Sequence, residues 1–431
     1  VKKHYKIEEF EADCAPFAYF FHGIHAMAPC TDSCALHPQP HRGAGGLSQC
    51  ARRIALGLVG WAMSAAVSAA TLSVSTLADS GAGSLREALG MASAGDTVLF
   101  APSLSGTLTL LSPLPTITAA LTVSGPGADK VQVLNAAGRV FDLQGAGAVT
   151  LSGLALSGSG LALGENGGAI RSQGATQLTL DGVAIARSVV TKQWNGGGLG
   201  GAVYSGAGGS LTVRASTFEA NRADKGGAIY AVGAGMTLTN STLTQNQADD
   251  SGGAISLEFG PASTITQSTL TANTAAIAGG VFVRNTASLN LVNSVVAGNT
   301  DRGGANDVDH GNDTVGATGS LFSETDAASV VHNGADSNNL YGADPLLGAL
   351  ANNGGSTRTQ LPGAASPALN AVACAGVAVD QRGIARPQGA LCDIGAVEVA
   401  APPPAAVPTL SSAGWTLLAL MLGGVFAWRR G

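Results

Sequence analysis

Three charged side chains stand at positions where the sequence could support acid–base chemistry on a sugar. Asp224 and Asp250 each lie two residues before a Gly-Gly pair, so a repeating fold would stack them one turn apart, and Lys225 follows Asp224. Glycoside hydrolysis needs two carboxylates on one groove about 5 to 9.5 Å apart, and a polysaccharide lyase needs a basic group beside bound calcium. The neighbouring residues are typical of solvated turns, so these three are weak catalytic candidates.

A column of asparagines accompanies the same repeat at Asn221, Asn246, Asn273 and Asn299. Identical side chains that stack at a fixed spacing can hydrogen-bond to one another along the stacking axis. The column therefore predicts a turn ladder and not a binding site.

An acidic loop follows the last clear repeat, over residues 301–313, and contains Asp307-Val308-Asp309-His310. Several carboxylates in one loop could bind calcium, which prefers oxygen ligands, but they also occur as ordinary solvated turn residues. The sequence therefore assigns no cofactor and no metal site, and calcium stays an alternative at this loop.

Two cysteines, Cys374 and Cys392, lie in the C-terminal third of the chain. In an exported protein such a pair is predicted to form a disulfide.

The elements that would position these side chains are short strands that recur along the chain. Two apolar columns keep step with each other at intervals of 29, 33, 25, 27 and 26 residues, so the length differences fall in loops. The first column is Leu151, Leu180, Val213, Leu238, Ile265 and Leu291, and the second is Leu156, Ile185, Phe218, Leu243, Leu270 and Val296.

Apolar residues in these runs alternate with Thr, Ser and Asn, which is the period of a strand and not of a helix. Gly-Gly pairs at 200–201, 226–227, 252–253 and 279–280 supply the left-handed backbone that tight corners need. We therefore predict an all-β fold, a right-handed parallel β-helix of the pectate-lyase-like solenoid type. The coils are predicted over residues 119–300 and the C-terminal end of the solenoid over residues 301–399.

The N-terminal part divides into three predicted segments. Residues 1–50 differ in composition from the rest and are expected to be a leader that is not part of the mature protein. Residues 51–70 combine Arg52-Arg53, an apolar run and small residues, the pattern of a secretory signal peptide. Residues 71–118 form a predicted cap, with a capping box at Ser84 and Glu87 and a first strand over residues 96–100.

The C-terminal end has the features of a membrane anchor. A Pro/Ala linker at residues 400–406 precedes Val407-Pro408-Thr409-Leu410, an apolar run to Trp428 and two arginines. From Ala413 the run has about 16 residues, roughly 24 Å of helix, slightly less than a bilayer core of about 30 Å. We predict a transmembrane helix within residues 407–431, with the basic end on the cytoplasmic side.

Three motifs resemble those of secreted bacterial β-helix proteins. Residues 84–89 read Ser-Leu-Arg-Glu-Ala-Leu and resemble the CSLREAL domain, with Gly83 where that family has cysteine. Asp380-Gln381-Arg382-Gly383 and the stretch 392–398 resemble the end of the choice-of-anchor Q family. Residues 407–410 resemble the IPTL-type sorting signal of Gram-negative bacteria, which implies cleavage near Pro408 to Leu410 by a sorting protease.

The predicted function follows from export and anchoring. A formal net charge of −6 without a basic stripe disfavours nucleic acid as a partner. We expect a protein exported through the inner membrane to the cell envelope or surface, where it is a non-enzymatic adhesin or carbohydrate-binding protein. Its expected partners are the membrane, the sorting protease and a glycan or host-surface ligand. The alternative is a polysaccharide lyase or glycoside hydrolase that acts on an extracellular glycan.

Overall fold

The structure, a computed structural model, describes residues 69–193 and 196–400. The predicted leader, almost all of the predicted signal peptide, the sorting signal at Val407 to Leu410 and the predicted transmembrane helix lie outside these ranges. Within them, no helix is long and apolar enough to cross a bilayer.

Three long sheets, built from parallel strands, run through the described chain. Sheet 1 has eleven strands: β1 (Thr71–Val74), β2 (Thr97–Phe100), β4 (Leu121–Ser124), β7 (Ala148–Ser152), β10 (Gln177–Asp181), β13 (Ser210–Arg214), β17 (Gly235–Thr239), β21 (Ser263–Thr266), β24 (Ser288–Val292), β29 (Thr314–Thr318) and β31 (Asn333–Ser337). Sheet 2 has nine: β3 (Gly106–Thr109), β5 (Val131–Asn135), β8 (Ala155–Gly158), β11 (Ala184–Ala186), β14 (Thr217–Glu219), β18 (Thr242–Thr244), β22 (Thr269–Thr271), β25 (Val295–Ala297) and β30 (Leu321–Phe322).

Sheet 3 closes the third side of each coil and has seven strands: β6 (Phe141–Gln144), β9 (Ile170–Gln173), β12 (Val203–Ser205), β16 (Ile229–Val232), β20 (Ile255–Glu258), β23 (Val281–Arg284) and β28 (Val308–Asp309). Short pairs occupy corners: β15 (Arg222–Lys225) with β19 (Gln247–Ser251), and β26 (Thr300–Asp301) with β27 (Gly304–Ala305). The chain visits the sheets in turn, about ten times, so the predicted parallel β-solenoid is confirmed. Its right-handed winding stays a prediction from the crossover rule.

Both predicted apolar columns are confirmed by the strand registers. Leu180 pairs with Leu151 and Val213 in sheet 1, and Leu243 pairs with Phe218 and Leu270 in sheet 2. These side chains are buried and belong to one continuous core. Burying such ladders supplies the apolar contact that stabilises each coil against the next.

The predicted alignment of the last glycine pair is wrong by one residue. Val281 pairs with Ile255, so Gly279 lies beside Gly253 and not beside Gly252. The position equivalent to Gly252 is Ala278, with φ 55°. An alanine tolerates this left-handed backbone at a moderate cost, so the corner survives without glycine at its first position.

The two glycines of a corner are needed for different reasons. Gly226 opens its corner with φ +62°. At Gly227 a Cβ atom would lie 2.2 Å from the carbonyl oxygen of Gly253 in the next coil. The second glycine therefore permits neighbouring backbones to stack at strand spacing, which the sequence pattern had attributed to corner geometry alone.

The N-terminal region joins the same sheets as the coils. Helix α1 (Leu85–Met91) begins at Ser84, whose hydroxyl accepts a hydrogen bond from the Glu87 amide at 3.2 Å. The Glu87 carboxylate accepts from Gly83, one residue earlier than the predicted capping box would have it. The first strand is β1 and not the predicted segment at 96–100, which is the second. The alternation in β1 is only four residues long and adjoins the predicted signal peptide, so the sequence pattern does not distinguish it as a strand.

The chain turns back after β31 and the short helix α2 (Ala327–Val330) that precedes it. Residues 343–399, called the C-terminal segment below, contain no strand of the three sheets. They lie against the outer face of sheet 2, where Thr242 and Thr269 hydrogen-bond to them directly.

Candidate functional site

The weak catalytic candidates meet at the corner between β19 and sheet 3. Lys192 Nζ lies 3.0 Å from Asp224 Oδ2, and Lys225 Nζ lies 2.9 Å from Glu258 Oε1 and 4.0 Å from Asp250 Oδ2. Asp224 is buried, whereas the Asp250 side chain is 43% exposed. The structure therefore groups Asp224, Lys225 and Asp250 but surrounds them with opposite charges.

The lysines and carboxylates of this corner neutralise one another. The hydrogen bond from Lys192 to Asp224, together with the negative charges of Asp224 and Asp250, raises the pKa of Lys192. Burial and the nearby Glu258 carboxylate raise the pKa of Tyr230. A lysine and a tyrosine with raised pKa values hold their protons more tightly, which is the opposite of what a general base requires.

Two further carboxylates near these candidates in the sequence have other partners. Glu219, in β14 of sheet 2, pairs with Arg358, and Asp249 pairs with the exposed Arg222 at 2.9 Å. In the ranges that the structure describes, no three His, Cys, Asp or Glu side chains are grouped as a metal site requires.

The asparagine column lies inside a corner of the solenoid as a hydrogen-bonded chain. The Nδ2 of Asn221 donates to Asn246 Oδ1 at 2.9 Å, Asn246 donates to Asn273 at 2.9 Å, and Asn273 donates to Asn299 at 2.8 Å. Asn299 in turn donates to Asp307 Oδ1 at 2.9 Å. All four asparagines are fully buried, so no ligand can reach them.

A second ladder, made of serines, was not recognised in the sequence. The Ser216 amide donates to Ser241 Oγ, and the pattern continues through Ser268 and Ser294 to Ser320, each at 3.1 or 3.2 Å. In the sequence, this serine ladder corresponds to the Ser-Thr and Ser-Val pairs that recur in each repeat. They carry no chemistry, because every one of these hydroxyls is buried.

The acidic loop satisfies its carboxylates within the protein. Asp301 accepts hydrogen bonds from the Gly303 and Gly304 amides, and Asp309 pairs with Arg284 at 2.5 Å. Asp307 is the last rung of the asparagine ladder, and burial raises its pKa despite bonds from Asn299 and Ser323. These carboxylates hold the loop in place and do not converge on a common point.

The C-terminal segment attaches to sheet 2 through a column of threonines. Gln381 is buried, accepts a hydrogen bond from Thr242 Oγ1 at 2.7 Å and donates one to Thr217 Oγ1 at 2.9 Å. Thr269 Oγ1 accepts from the Ala396 amide at 3.0 Å, and Thr271 donates to Gln360 at 2.7 Å. These threonines point outward from sheet 2 but are covered by the C-terminal segment.

The motif at residues 380–398 forms the polar centre of this segment. Arg386 and Glu398 form an ion pair at 2.9 Å with both side chains fully buried. Asp380 accepts from the Arg382 guanidinium at 2.8 Å and from the Glu398 amide at 2.9 Å. The structure joins Cys374 to Cys392 by a disulfide in the same segment. The residues that resemble the end of the choice-of-anchor Q family thus hold the segment together.

The outer face of sheet 2 has a covered half and an open half. Outward side chains of β14, β18, β22 and β25 are mostly buried under the C-terminal segment, whereas those of β3, β5, β8 and β11 are mostly accessible. The open half forms a cleft of about 460 Å³, and Arg358 of the C-terminal segment lines it as well.

The outer face of sheet 3 is filled by its own side chains. Arg171 and Asp142 pair at 2.8 Å, and Tyr204 stacks on Tyr230 with ring centres 5.8 Å apart. Burial opposes ionisation of Asp142, but the contact with Arg171 outweighs it and holds the pKa of Asp142 below its usual value. The Arg284 guanidinium lies over the Phe282 ring at 4.5 Å. Few polar groups on this face remain free for a ligand.

The outer face of sheet 1 presents an unbroken column of threonines across eight successive strands. Strand registers align the following residues side by side: Thr71, Thr97, Thr122, Thr150, Thr179, Thr212, Thr237 and Thr264. All are at least partly exposed. Across residues 69–193 and 196–400, none of their hydroxyls takes part in a hydrogen bond. Neighbouring hydroxyls are separated by about one strand spacing, roughly 4.8 Å.

Comparison with known proteins adds little to this geometry. No protein family and no characterised protein sequence matches this chain. Among solved structures, the pectate lyase Pel9A is 14% identical over 76% of this chain and 96% of its own, with a TM-score of 0.40. The PL6-family alginate lyase AlyGC is 12% identical over 64% of this chain, with a TM-score of 0.38. The match spans little more than a third of that enzyme, 37%. At these scores the similarity decides nothing about activity.

Proposed function

We propose that this chain is an exported, surface-anchored and non-enzymatic carbohydrate-binding protein that binds extended glycans along the outer face of sheet 1. The observation that carries the proposal is the column of eight threonines, whose hydroxyls are accessible and form no hydrogen bond within the described ranges. A threonine hydroxyl can both donate and accept a hydrogen bond, so it can pair with a sugar hydroxyl whichever of the two is the donor.

Affinity on such a face is expected to come from the number of hydrogen bonds and not from any single one. One hydrogen bond contributes only about 0.5–1.5 kcal/mol net, so a monosaccharide would bind weakly. A polymer that follows the column can bond to several rungs at once, which is how solenoids use their long surfaces.

The environment of the weak catalytic candidates favours binding over catalysis. Asp224 pairs with Lys192, and Lys225 pairs with Glu258 and lies near Asp250. A hydrolase or lyase would have to break these ion pairs before its acid or base could act. The enzymatic alternative on an extracellular glycan therefore stays second.

Export and anchoring rest on sequence segments outside the described ranges. The predicted signal peptide at 51–70 and the resemblance of Val407-Pro408-Thr409-Leu410 to a sorting signal support them. A sorting protease and the membrane are the partners that this part of the proposal requires.

The test is a glycan array on the purified chain, combined with assays for reducing sugars and unsaturated products. We expect binding to neutral, extended glycans without product. The triple variant Thr150→Val, Thr179→Val and Thr212→Val keeps side-chain shape and strand propensity but removes three hydroxyls. It should lose about 1.5–4.5 kcal/mol of binding, roughly a ten- to thousand-fold weaker Kd.

The matched control is the triple variant Thr191→Val, Thr274→Val and Thr300→Val, which removes three exposed threonine hydroxyls outside sheet 1. That variant should bind as the original chain does. Equal binding by both triple variants would exclude sheet 1 as the site. Product formation would contradict the non-enzymatic assignment and make Asp224, Asp250 and Lys225 the first residues to replace.

A further inference from the structure

The cleft on the open half of sheet 2 contains charged groups that the proposed function does not use. Its walls carry Lys130, Arg187 and Arg358 against a single carboxylate, Asp129. The complete chain has a formal net charge of −6, so a positive cleft stands out against an acidic protein.

The two arginines of the cleft differ in how their charge is balanced. Arg358 is held by the C-terminal segment, its carbonyl accepts from Thr217 Oγ1 at 2.6 Å, and its guanidinium pairs with Glu219. Arg187 follows β11, where the backbone has φ 54°, and its side chain is exposed. In the part of the chain that the structure describes, the Arg187 guanidinium has no ion pair and no hydrogen bond.

The arginines are close enough to influence each other. Burial, followed by the positive charge of Arg187, lowers the pKa of Arg358. Glu219 neutralises the charge of Arg358, whereas the charge of Arg187 is not neutralised. An anionic group of a ligand could therefore pair with Arg187. A guanidinium can bind a carboxylate through two parallel hydrogen bonds, which fixes the orientation of the anion.

The floor of the cleft leaves space for a sugar ring. Ala155, Ala184 and Ala186 project small side chains outward, and Gln132 adds an amide in the same outward column. Small side chains leave space for a sugar ring against the sheet, while Gln132 offers both a donor and an acceptor to ring hydroxyls.

We propose that this cleft binds a uronate-bearing glycan, with Arg187 as the ligand of a sugar carboxylate. The site is separate from the threonine column of sheet 1 and does not depend on it. Charge complementarity selects the occupant, because a uronate carboxylate can pair with the Arg187 guanidinium and a neutral glycan cannot.

The experiment compares a hexauronate with its carboxyl-reduced neutral counterpart by calorimetric titration of the full chain. We expect the hexauronate to bind the original chain at least about tenfold more tightly than the reduced form. Arg187→Gln should weaken hexauronate binding about ten- to hundredfold, because it removes one charge-assisted pair. Binding of neutral glycans on the array should not change in this variant, which separates this site from the one on sheet 1.

The matched control is Arg222→Gln, which removes an exposed arginine from the corner strand β15, where it pairs with Asp249. It should bind hexauronate as the original chain does. Absence of hexauronate binding, equal binding of the reduced form, or equal losses in the Arg187 and Arg222 variants would each overturn the proposal.

Discussion

A buried asparagine must satisfy two donors and two lone pairs, and in this protein its neighbours one coil away provide the partners. Asn246 accepts from the amide and the Nδ2 of Asn221, and its own Nδ2 donates to Asn273 and to the Phe218 carbonyl. Each rung therefore depends on the next, and a missing rung leaves buried donors unpaired on one side and acceptors on the other.

Replacement of Asn246 by alanine tests this dependence. We expect Asn246→Ala to lower the free energy of unfolding by about 2–5 kcal/mol, because each buried group left unsatisfied costs about 1–3 kcal/mol. Asn290→Ala, which changes an exposed asparagine of sheet 1, should stay within about 0.5 kcal/mol. Urea unfolding followed by circular dichroism measures both, and indistinguishable midpoints would show that the ladder contributes nothing.

At the scale of the coil, corners decide how closely successive turns approach. The second glycine of each pair lies against a carbonyl of the following coil: a Cβ at Gly253 would be 2.2 Å from the Gly279 oxygen and 2.6 Å from the Thr274 oxygen. Thr274 is bridged to the strand segments on both sides of it, at Gln247 and at Thr300. The carbonyls of Ala278 and Gly280, which flank Gly279, accept hydrogen bonds from the neighbouring coil, so this backbone cannot shift without disturbing the stacking of the coils.

The close approach at Gly253 can be tested by comparing its alanine variant with that of a glycine with no neighbouring atoms, Gly90. Gly253→Ala should lower the free energy of unfolding by at least about 3 kcal/mol, since two coils must separate to admit a methyl group. Gly90→Ala in α1 meets no atom within 4 Å and should raise it by about 0.5–1 kcal/mol through helix propensity. Thermal and urea unfolding give the comparison, and similar effects of the two changes would contradict the close-approach argument.

At the scale of the molecule, the C-terminal segment determines which surfaces remain free. It covers one half of sheet 2, bounds the cleft with Arg358 and leaves sheet 1 uncovered. Its own fold depends on the buried Arg386–Glu398 pair. Because removal of one partner leaves a buried charge uncompensated, this pair is a point at which the segment can be released selectively.

Glu398→Gln is expected to loosen the C-terminal segment by about 3–5 kcal/mol while the coils persist. Limited proteolysis with mass spectrometry should then find early cleavage within residues 343–399, with the strand signal in circular dichroism retained. Asp249→Asn, at an exposed pair with Arg222, should leave the cleavage pattern unchanged. Unfolding of the whole chain in one step, or unchanged protection of the segment, would contradict an independently releasable segment.

The repeat in the sequence was sufficient to predict the coils between Leu151 and Val296 and their registers in sheets 1 and 2. Each strand carries the same alternation, and the two apolar columns from Leu151 to Leu291 and from Leu156 to Val296 needed only that repeated pattern. The asparagine column was visible for the same reason. The corner grouping of Asp224, Lys225 and Asp250 followed from their offset to the glycine pairs, whereas their ion pairs with Lys192 and Glu258 did not.

Which threonines face solvent depends on contacts between distant parts of the folded chain. Thr242 of sheet 2 and Thr237 of sheet 1 occupy similar alternating strands, yet Thr242 bonds to Gln381, 139 residues later, and Thr237 is exposed. The cleft with Arg187 and Arg358 arises from the same fold-back. Contacts between residues so far apart leave no local pattern in the sequence, because alternation records that a side chain points outward and not what lies against it.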